Sequence, residues 1–225
     1  ISNIQNALSF AEVQDGALTS AATIVNRMAE LKSMSMDVLK SSSDKANYNV
    51  EFQALQTQLH SIASEAFNGV TLFSSESSKT FGTHAVNVTI FTSDLGANGS
   101  TVSLGKALLV SAVTFTSGTS TAAAAAGATG SKSLAVASGG SKVSVGELGV
   151  SFFTKALENI ATLRATNAAG MARLQLAEDH ARLTMANLEA ANSRIMDVDV
   201  AEESTRFAKY NILTQASAAM LSQAN

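Results

Sequence analysis

Proline, cysteine and tryptophan are all missing from this 225-residue chain. Proline ordinarily makes up roughly 5% of a protein. Its absence removes the residue that most sharply breaks helices, so long uninterrupted helices become available. Without cysteine there is no disulfide, no thiolate metal site and no Cys nucleophile, although the redox compartment stays unassigned. Aromatic residues are 5% of the chain, with Tyr48 and Tyr210 the only tyrosines. The apolar mass must therefore come from Ala, Leu, Val, Ile and Met, which favours narrow helix contacts over a thick core. A net charge of −3 and singly scattered Lys and Arg provide no broad basic field, which argues against nucleic acid as a partner. No apolar run approaches the roughly 20 residues of a membrane helix, so membrane insertion is not expected. The N-terminus lacks the basic, apolar and small-residue order of a secretory signal, so export would need another route. The chain opens at Ile1 rather than Met, and native sequence is expected to precede it.

What the chain does have is 46% hydrophobic content, enough for one or two domains with a buried core. Three blocks follow. From Ile4, apolar and small residues recur at heptad spacing through Ala11, Leu18 and Val25, with Ala7, Ala21, Met28 and Leu31 beside them. This predicts one amphipathic helix reaching Leu39. Lys32 falls on the stripe and Gly16 interrupts it, so the seam is imperfect, with a local kink or a snorkelled side chain as the alternatives. The Ser-rich run from Ser41 to Asp44 is expected to stop the helix. Tyr48, Phe52, Leu55, Leu59, Ile62 and Ala66 then step by three and four along one face of a second helix, folded back antiparallel. Asn68 and Gly69 tolerate positive φ and are expected where it ends.

Between about 71 and 150 the composition turns to Ser, Thr, Gly and Ala, and β-branched residues alternate. Strands are predicted at 85–92 and 101–104, joined by a hairpin loop over 94–99, with another strand over 107–116. The low-complexity tract 119–133 is loop or short helix. After Ser151 helical order returns. Ile160, Asn167, Leu174, Ala181, Leu188 and Ile195 share one heptad position, and Leu163, Gly170, Ala177, Thr184 and Ala191 its partner. At 1.5 Å per residue, this helix and the first would each run on the order of 60 Å, which predicts a rod. Small residues along the second position let helices approach closely in a bundle of two, three or four. Periodicity alone leaves a plain stable bundle and an assembly unit equally open.

No catalytic constellation converges in the sequence. His60, His84 and His180 fall in separate blocks, with Glu178 and Asp179 the only carboxylates beside a histidine, and they read as solvated helix-face residues rather than metal ligands. The run Gly127 to Ser133 departs from a phosphate loop, because its Lys does not directly follow the second Gly and no strand-to-helix context surrounds it. No glycine-flanked nucleophile elbow is present, and Asp197 with Asp199 reads as a cap or salt-bridge pair at a helix end. No cofactor, metal or enzymatic activity is expected.

The two helical arms resemble the bacterial flagellin family over nearly all of residues 1–74 and 151–225. The stretch Ile4 to Ile24, with its Gly16-Ala17-Leu18, and the following Arg27 to Leu31 are similar to the family's first arm. Phe67-Asn68-Gly69 matches the Phe-Asn-Gly that closes the second helix and leads into a hairpin, and the loop Gly96-Ala97-Asn98 is similar to its hairpin loop. Near the other end, Ser193-Arg194-Ile195, Asp197 and Asp199 resemble the Ser-Arg-Ile-x-Asp-x-Asp signature, and Ile212-Leu213-Thr214-Gln215-Ala216 resembles Ile-Leu-x-Gln-Ala. These motifs occur in the family's order at both ends of the chain.

The resemblance implies a mainly α fold with a β-rich insert. An elongated rod of long antiparallel helices would carry a small outer domain. In that scheme 1–74 and 151–206 form the helical rod, 75–150 the β-hairpin and variable outer insert, and 207–225 part of the C-terminal inner-tube helix. It implies a structural subunit of the bacterial flagellar filament, self-assembling for motility. Other implied partners are the flagellar export and cap machinery. The location would be the extracellular flagellum, reached through the flagellar secretion system without a cleaved signal peptide. The chain would lack the N-terminal inner-tube segment and the short apolar tail, and so would not polymerise alone. Phe207, Tyr210, Leu213, Ala216 and Leu221 form an apolar stripe expected to pack on a neighbouring molecule or on its own rod. Arg27, Leu31 and Glu51 match the segment contacted by the vertebrate Toll-like receptor for flagellin. The alternatives are a hook–filament junction protein and a flagellin-like cell-surface protein whose insert binds a ligand such as a polysaccharide.

Overall fold

The computed structural model describes residues 1–74, 81, 86–93, 98–116, 130–196 and 200–224. The backbone contacts divide the chain into two compact units, Ile1–Asp179 and His180–Asn225. Helix α1 spans Ser2–Ser35 and α2 spans Ser42–Ala63. Two short strands, β1 (Ala66–Phe67) and β2 (Val70–Thr71), form an antiparallel pair. The longer antiparallel pair is β3 (Val86–Phe91) with β4 (Thr101–Lys106), in register from Val86 opposite Lys106 to Phe91 opposite Thr101. A single-turn helix α3 (Leu109–Ala112) leads into β5 (Thr114–Thr116), which pairs with β6 (Ser131–Ser133). A 3₁₀ turn at Val145–Glu147 precedes α4 (Val150–Met196), and α5 spans Val200–Ala224.

The first unit is organised by the stripe on α1. Ile4, Ala7, Phe10, Ala11, Ala17, Leu18, Ala21, Val25, Met28 and Leu31 are all buried, as the heptad spacing predicts. The helix runs unbroken through Gly16, where a Cβ would meet nothing within 4 Å, so that glycine is a tolerated surface residue rather than a kink. It ends at Ser35, short of Leu39. Val38 and Leu39 lie beyond it, each 89% exposed, so no burial rewards further helix there. Ser41 starts the next helix instead of stopping the first. Its hydroxyl accepts from the Asp44 amide at 3.1 Å while the Asp44 carboxylate accepts from the Ser41 amide at 3.2 Å, a reciprocal capping box.

Helix α2 returns antiparallel, because Arg27 pairs with Glu51 whereas Phe10, nearer the start of α1, meets Phe67 beyond the end of α2. Its buried residues are Phe52, Gln56, Leu59, Ile62 and Ala63. Ala66 lies outside the helix, exposed on β1. Asn68 and Gly69 do have positive φ, +49° and +78°, but they turn the β1–β2 hairpin rather than end the helix. Two successive positive φ values are what a two-residue hairpin of the primed type requires.

The strand predicted over 107–116 is instead α3 followed by β5. A short apolar run such as Ala107 to Val113 is ambiguous between helix and strand by periodicity alone. Within the tract 119–133 only the last residues lie among those described, and they form β6. The predicted loop 94–99 falls mostly outside the described residues. Aromatic side chains thicken the core locally more than their scarcity implies. Phe52, Phe115, Phe152 and Phe153 are at most 1% exposed, with ring centroids 4.4 Å apart for Phe115 and Phe152 and 6.0 Å for Phe52 and Phe153. Each such ring contributes about 1.5–3 kcal/mol by burial. On α4, Ile160, Asn167 and Leu174 are buried at one heptad position, as expected, together with Gly170 at its partner. A Cβ on Gly170 would lie 2.8 Å from Leu104 Cδ1, so the missing side chain leaves room for that methyl against α4.

Two outcomes follow. Ser41→Ala removes the hydroxyl of the capping box and lowers stability by about 1 kcal/mol in urea unfolding. The Asp44 half of the box is held ionised by hydrogen bonds from Ser41, which depress its pKa. That half is intact above the ordinary carboxylate range and is lost as pH falls through the depressed value. Lys32 is only 9% exposed, and its burial lowers the ammonium pKa. The charged form therefore costs stability at neutral pH. Lys32→Met raises the unfolding midpoint there, and the gain shrinks as pH rises through the lowered pKa toward 10.5.

Candidate functional site

The described residues contain no group of three or more His, Asp or Glu placed to hold a metal ion. His60 is half-buried on α2 and His180 is exposed on α4, while His84 lies outside the described residues. No described helix is long and apolar enough to cross a membrane. Two surfaces stand out among the described residues.

The first lies on the first unit. Arg27 donates through Nε to Glu51 at 2.7 Å and through Nη1 to Glu30 at 3.0 Å. These hydrogen bonds, Glu51 first, hold the guanidinium pKa above its ordinary value. The side chains of Arg27 and Glu51 are 44% and 42% exposed, so the pair is a solvated bridge between α1 and α2. Leu31, one turn further along α1, is 0% exposed and belongs to the core. Of the three receptor-contact candidates, the fold thus presents Arg27 and Glu51 together at the surface and seats Leu31 beneath.

On the same unit, Phe67 stacks edge-on against Phe10, with centroids 6.3 Å apart and planes at 79°. Together with Ala7, Val70, Ile90 and Leu104 they line an apolar cavity of about 200 Å³. Asn68 also lines it. The Phe67-Asn68-Gly69 motif accordingly has a local physical meaning: a ring that docks the β1–β2 hairpin onto α1, followed by the two residues able to make its turn.

The second surface lies on the unit His180–Asn225. Every described residue from 201 to 224 is exposed. Phe207 is 70% exposed, Tyr210 62%, Ile212 66%, Leu213 51% and Leu221 75%, and Ala216 and Gln215 are exposed beside them. Among the described residues this stripe is left uncovered. At the end of α4, Ser193, Arg194 and Ile195 are exposed, with Ile195 at 81%, as is Leu188 of the same heptad position at 66%. Asp197 and Asp199 lie outside the described residues. The heptad stripe of α4 is therefore buried as far as Leu174 and bare beyond residue 181.

Sequence reasoning passed over the polar ties inside the first unit. Arg164 clasps Asp15 with two bonds of 3.0 and 3.1 Å, which raises the guanidinium pKa. Asn167 donates to the Ala11 carbonyl at 2.8 Å, Asn159 to that of Ala112 at 2.8 Å, and Gln56 to that of Val143 at 3.2 Å. The available signal was an amide at an otherwise apolar heptad position, as at Asn167.

Known proteins agree with both arms. Residues 1–78 match the family model for the bacterial flagellin N-terminal helical region, and residues 150–225 that for the C-terminal helical region. The chain is 31% identical over 229 residues to the flagellar filament 30.7 kDa core protein of Treponema maltophilum, covering 99% of this chain and 74% of that protein. It is likewise 31% identical over 224 residues to a flagellin of Listeria monocytogenes, with the same coverage. Among solved structures, Bacillus cereus flagellin superposes with a TM-score of 0.52 at 20% identity, covering 76% of this chain and 84% of that one, a likeness of fold.

The hairpin motif yields a direct test. Because a side chain at positive φ costs roughly 1–2 kcal/mol unless it is Asn, Asp or absent, Asn68→Ala lowers unfolding free energy by about 1 kcal/mol and Asn68→Gly leaves it nearly unchanged.

Proposed function

We propose, from the premise that the chain belongs to the bacterial flagellin family, a division of labour between its two bare and buried halves. The protein is a structural subunit of the flagellar filament. The observation that carries the proposal is the abrupt change along α4, from a heptad stripe buried within the first unit to one left exposed with α5. The first unit folds on itself, and the exposed stripes of α4 and α5 are the surfaces that neighbouring subunits cover. Heterologous contacts that do not close generate an open helical filament. In this reading 1–74 and 151–206 form the helical core domain, 75–150 the outer insert, and 207–225 part of the inner-tube helix. Phe67, Asn68 and Gly69 position the hairpin. Ser193, Arg194, Ile195, Asp197, Asp199, Ile212, Leu213 and Gln215 belong to the assembly surface. The role is structural rather than catalytic.

The subunit is placed outside the cell by the flagellum's own export machinery and added beneath its cap. A further reading concerns recognition by the Toll-like receptor for flagellin. Arg27 and Glu51 are exposed and paired with each other, so they offer a donor–acceptor edge on the surface formed by α1 and α2.

The test is electron microscopy of cells making the natural protein with Ile212→Asp or Leu213→Asp. Both residues are more than half exposed, so circular dichroism of the variants should match the parent. Filaments are expected from the parent and lost, or shortened severalfold, in the variants although the protein is still secreted. Normal filaments from both variants would remove α5 from the assembly surface.

A further inference from the structure

Two buried amide oxygens of the first unit, Gln14 Oε1 and Asn167 Oδ1, have no hydrogen-bond partner among the described residues. Their residues are 0% and 4% exposed. The amide nitrogens fix which way each group points. Gln14 Nε2 donates to the Leu72 carbonyl at 2.6 Å and toward that of Gly105 at 3.5 Å, and Asn167 Nδ2 donates to the Ala11 carbonyl at 2.8 Å. Reversing either amide would set oxygen against oxygen.

Gln14 and the Ala11 carbonyl that holds Asn167 lie within one turn of α1. A helical carbonyl points toward the residue four positions on, so the Ala11 oxygen that holds Asn167 projects toward the level of Gln14. Helical side chains lean back over the turn that precedes them, which carries Gln14 toward the same level. Both oxygens are acceptors only, and a water molecule carries two O–H donors. Among the described residues the buried polar and charged ones include no carboxylate, so nothing there favours a cation over a neutral ligand. Polar, buried and short of two donors, the pair has the character of a buried water site.

We propose that one water molecule bridges Gln14 Oε1 and Asn167 Oδ1. Gln14 then becomes a joint. Its nitrogen holds the backbone at the ends of β2 and β4, and its oxygen, through the water, holds α4. The inference does not depend on filament assembly.

A crystal structure of the chain at about 1.5 Å tests it. The expected result is a fully occupied peak within hydrogen-bond distance, about 2.7–3.2 Å, of both oxygens. No peak there, or one with contacts near 2.4 Å to several oxygens as a cation makes, overturns it. A solution measurement stands beside it, using thermal unfolding of Gln14→Leu, Asn167→Leu and the double variant. With a bridging water, each single change strands the water and the opposite oxygen, so the double lowers the midpoint by less than the two singles added together. Additive losses would overturn the bridge. If a single variant does not fold, the crystallographic result on the parent chain decides.

Discussion

The fold of the first unit depends on one constraint: α1 must be covered on a stripe that runs nearly its whole length. No single partner does this. Helix α2 meets its later turns, the β1–β2 hairpin meets Phe10, and α4 follows it in the opposite direction, tied at Gln5 to Glu178, Ala11 to Asn167 and Asp15 to Arg164. The stripe itself is built of small and medium side chains, so neighbours approach closely and their backbones come within reach of side-chain amides. That closeness explains why buried Gln and Asn are so prominent. In a core with few large rings, aliphatic contacts tolerate several arrangements, and directional bonds from Gln14, Gln56, Asn159 and Asn167 select among them.

Much of this was legible in the sequence. The stripe from Ile4 to Leu31 and the heptads from Ile160 to Leu174 are properties of spacing, and spacing survives folding. So did the strand pair β3–β4, whose alternation puts Val102 and Leu104 inward. What was misread turned on local chemistry with two meanings. Ser41 and Asp44 look like a helix stop from one side and are a capping box from the other. Asn68-Gly69 suits a helix end as well as a hairpin turn, and only the pairing of Ala66 with Thr71 decides. The segment after Ala107 is apolar throughout, so no period distinguishes α3 from a strand.

The candidate surfaces divide along the same line. Family motifs pointed to Phe67-Asn68-Gly69 and to residues 193–195 and 212–215, but periodicity treats Leu174 and Leu188 as equivalent. The structure separates them, burying the first and exposing the second. Whether a stripe is core or interface is decided by what the rest of the chain supplies to cover it, which no local pattern records. Likewise Leu31 and Arg27 are a turn apart on one helix, yet one is core and the other solvated, because only Arg27 faces Glu51.

The ties between the two ends of the first unit carry a kinetic consequence. Asn167 reaches back 156 positions to Ala11, and Arg164 reaches back 149 to Asp15. Contacts so distant along the chain make for high contact order and slow folding, since the intervening loop must close before they reward it. A chain delivered N-terminus first, whether from a ribosome or through any narrow conduit, presents α1 and α2 long before their third helical partner exists. For that interval the α1 stripe stays partly uncovered. The molecule is thus kept from completing its core until most of it has emerged, a delay written into topology rather than into any one residue.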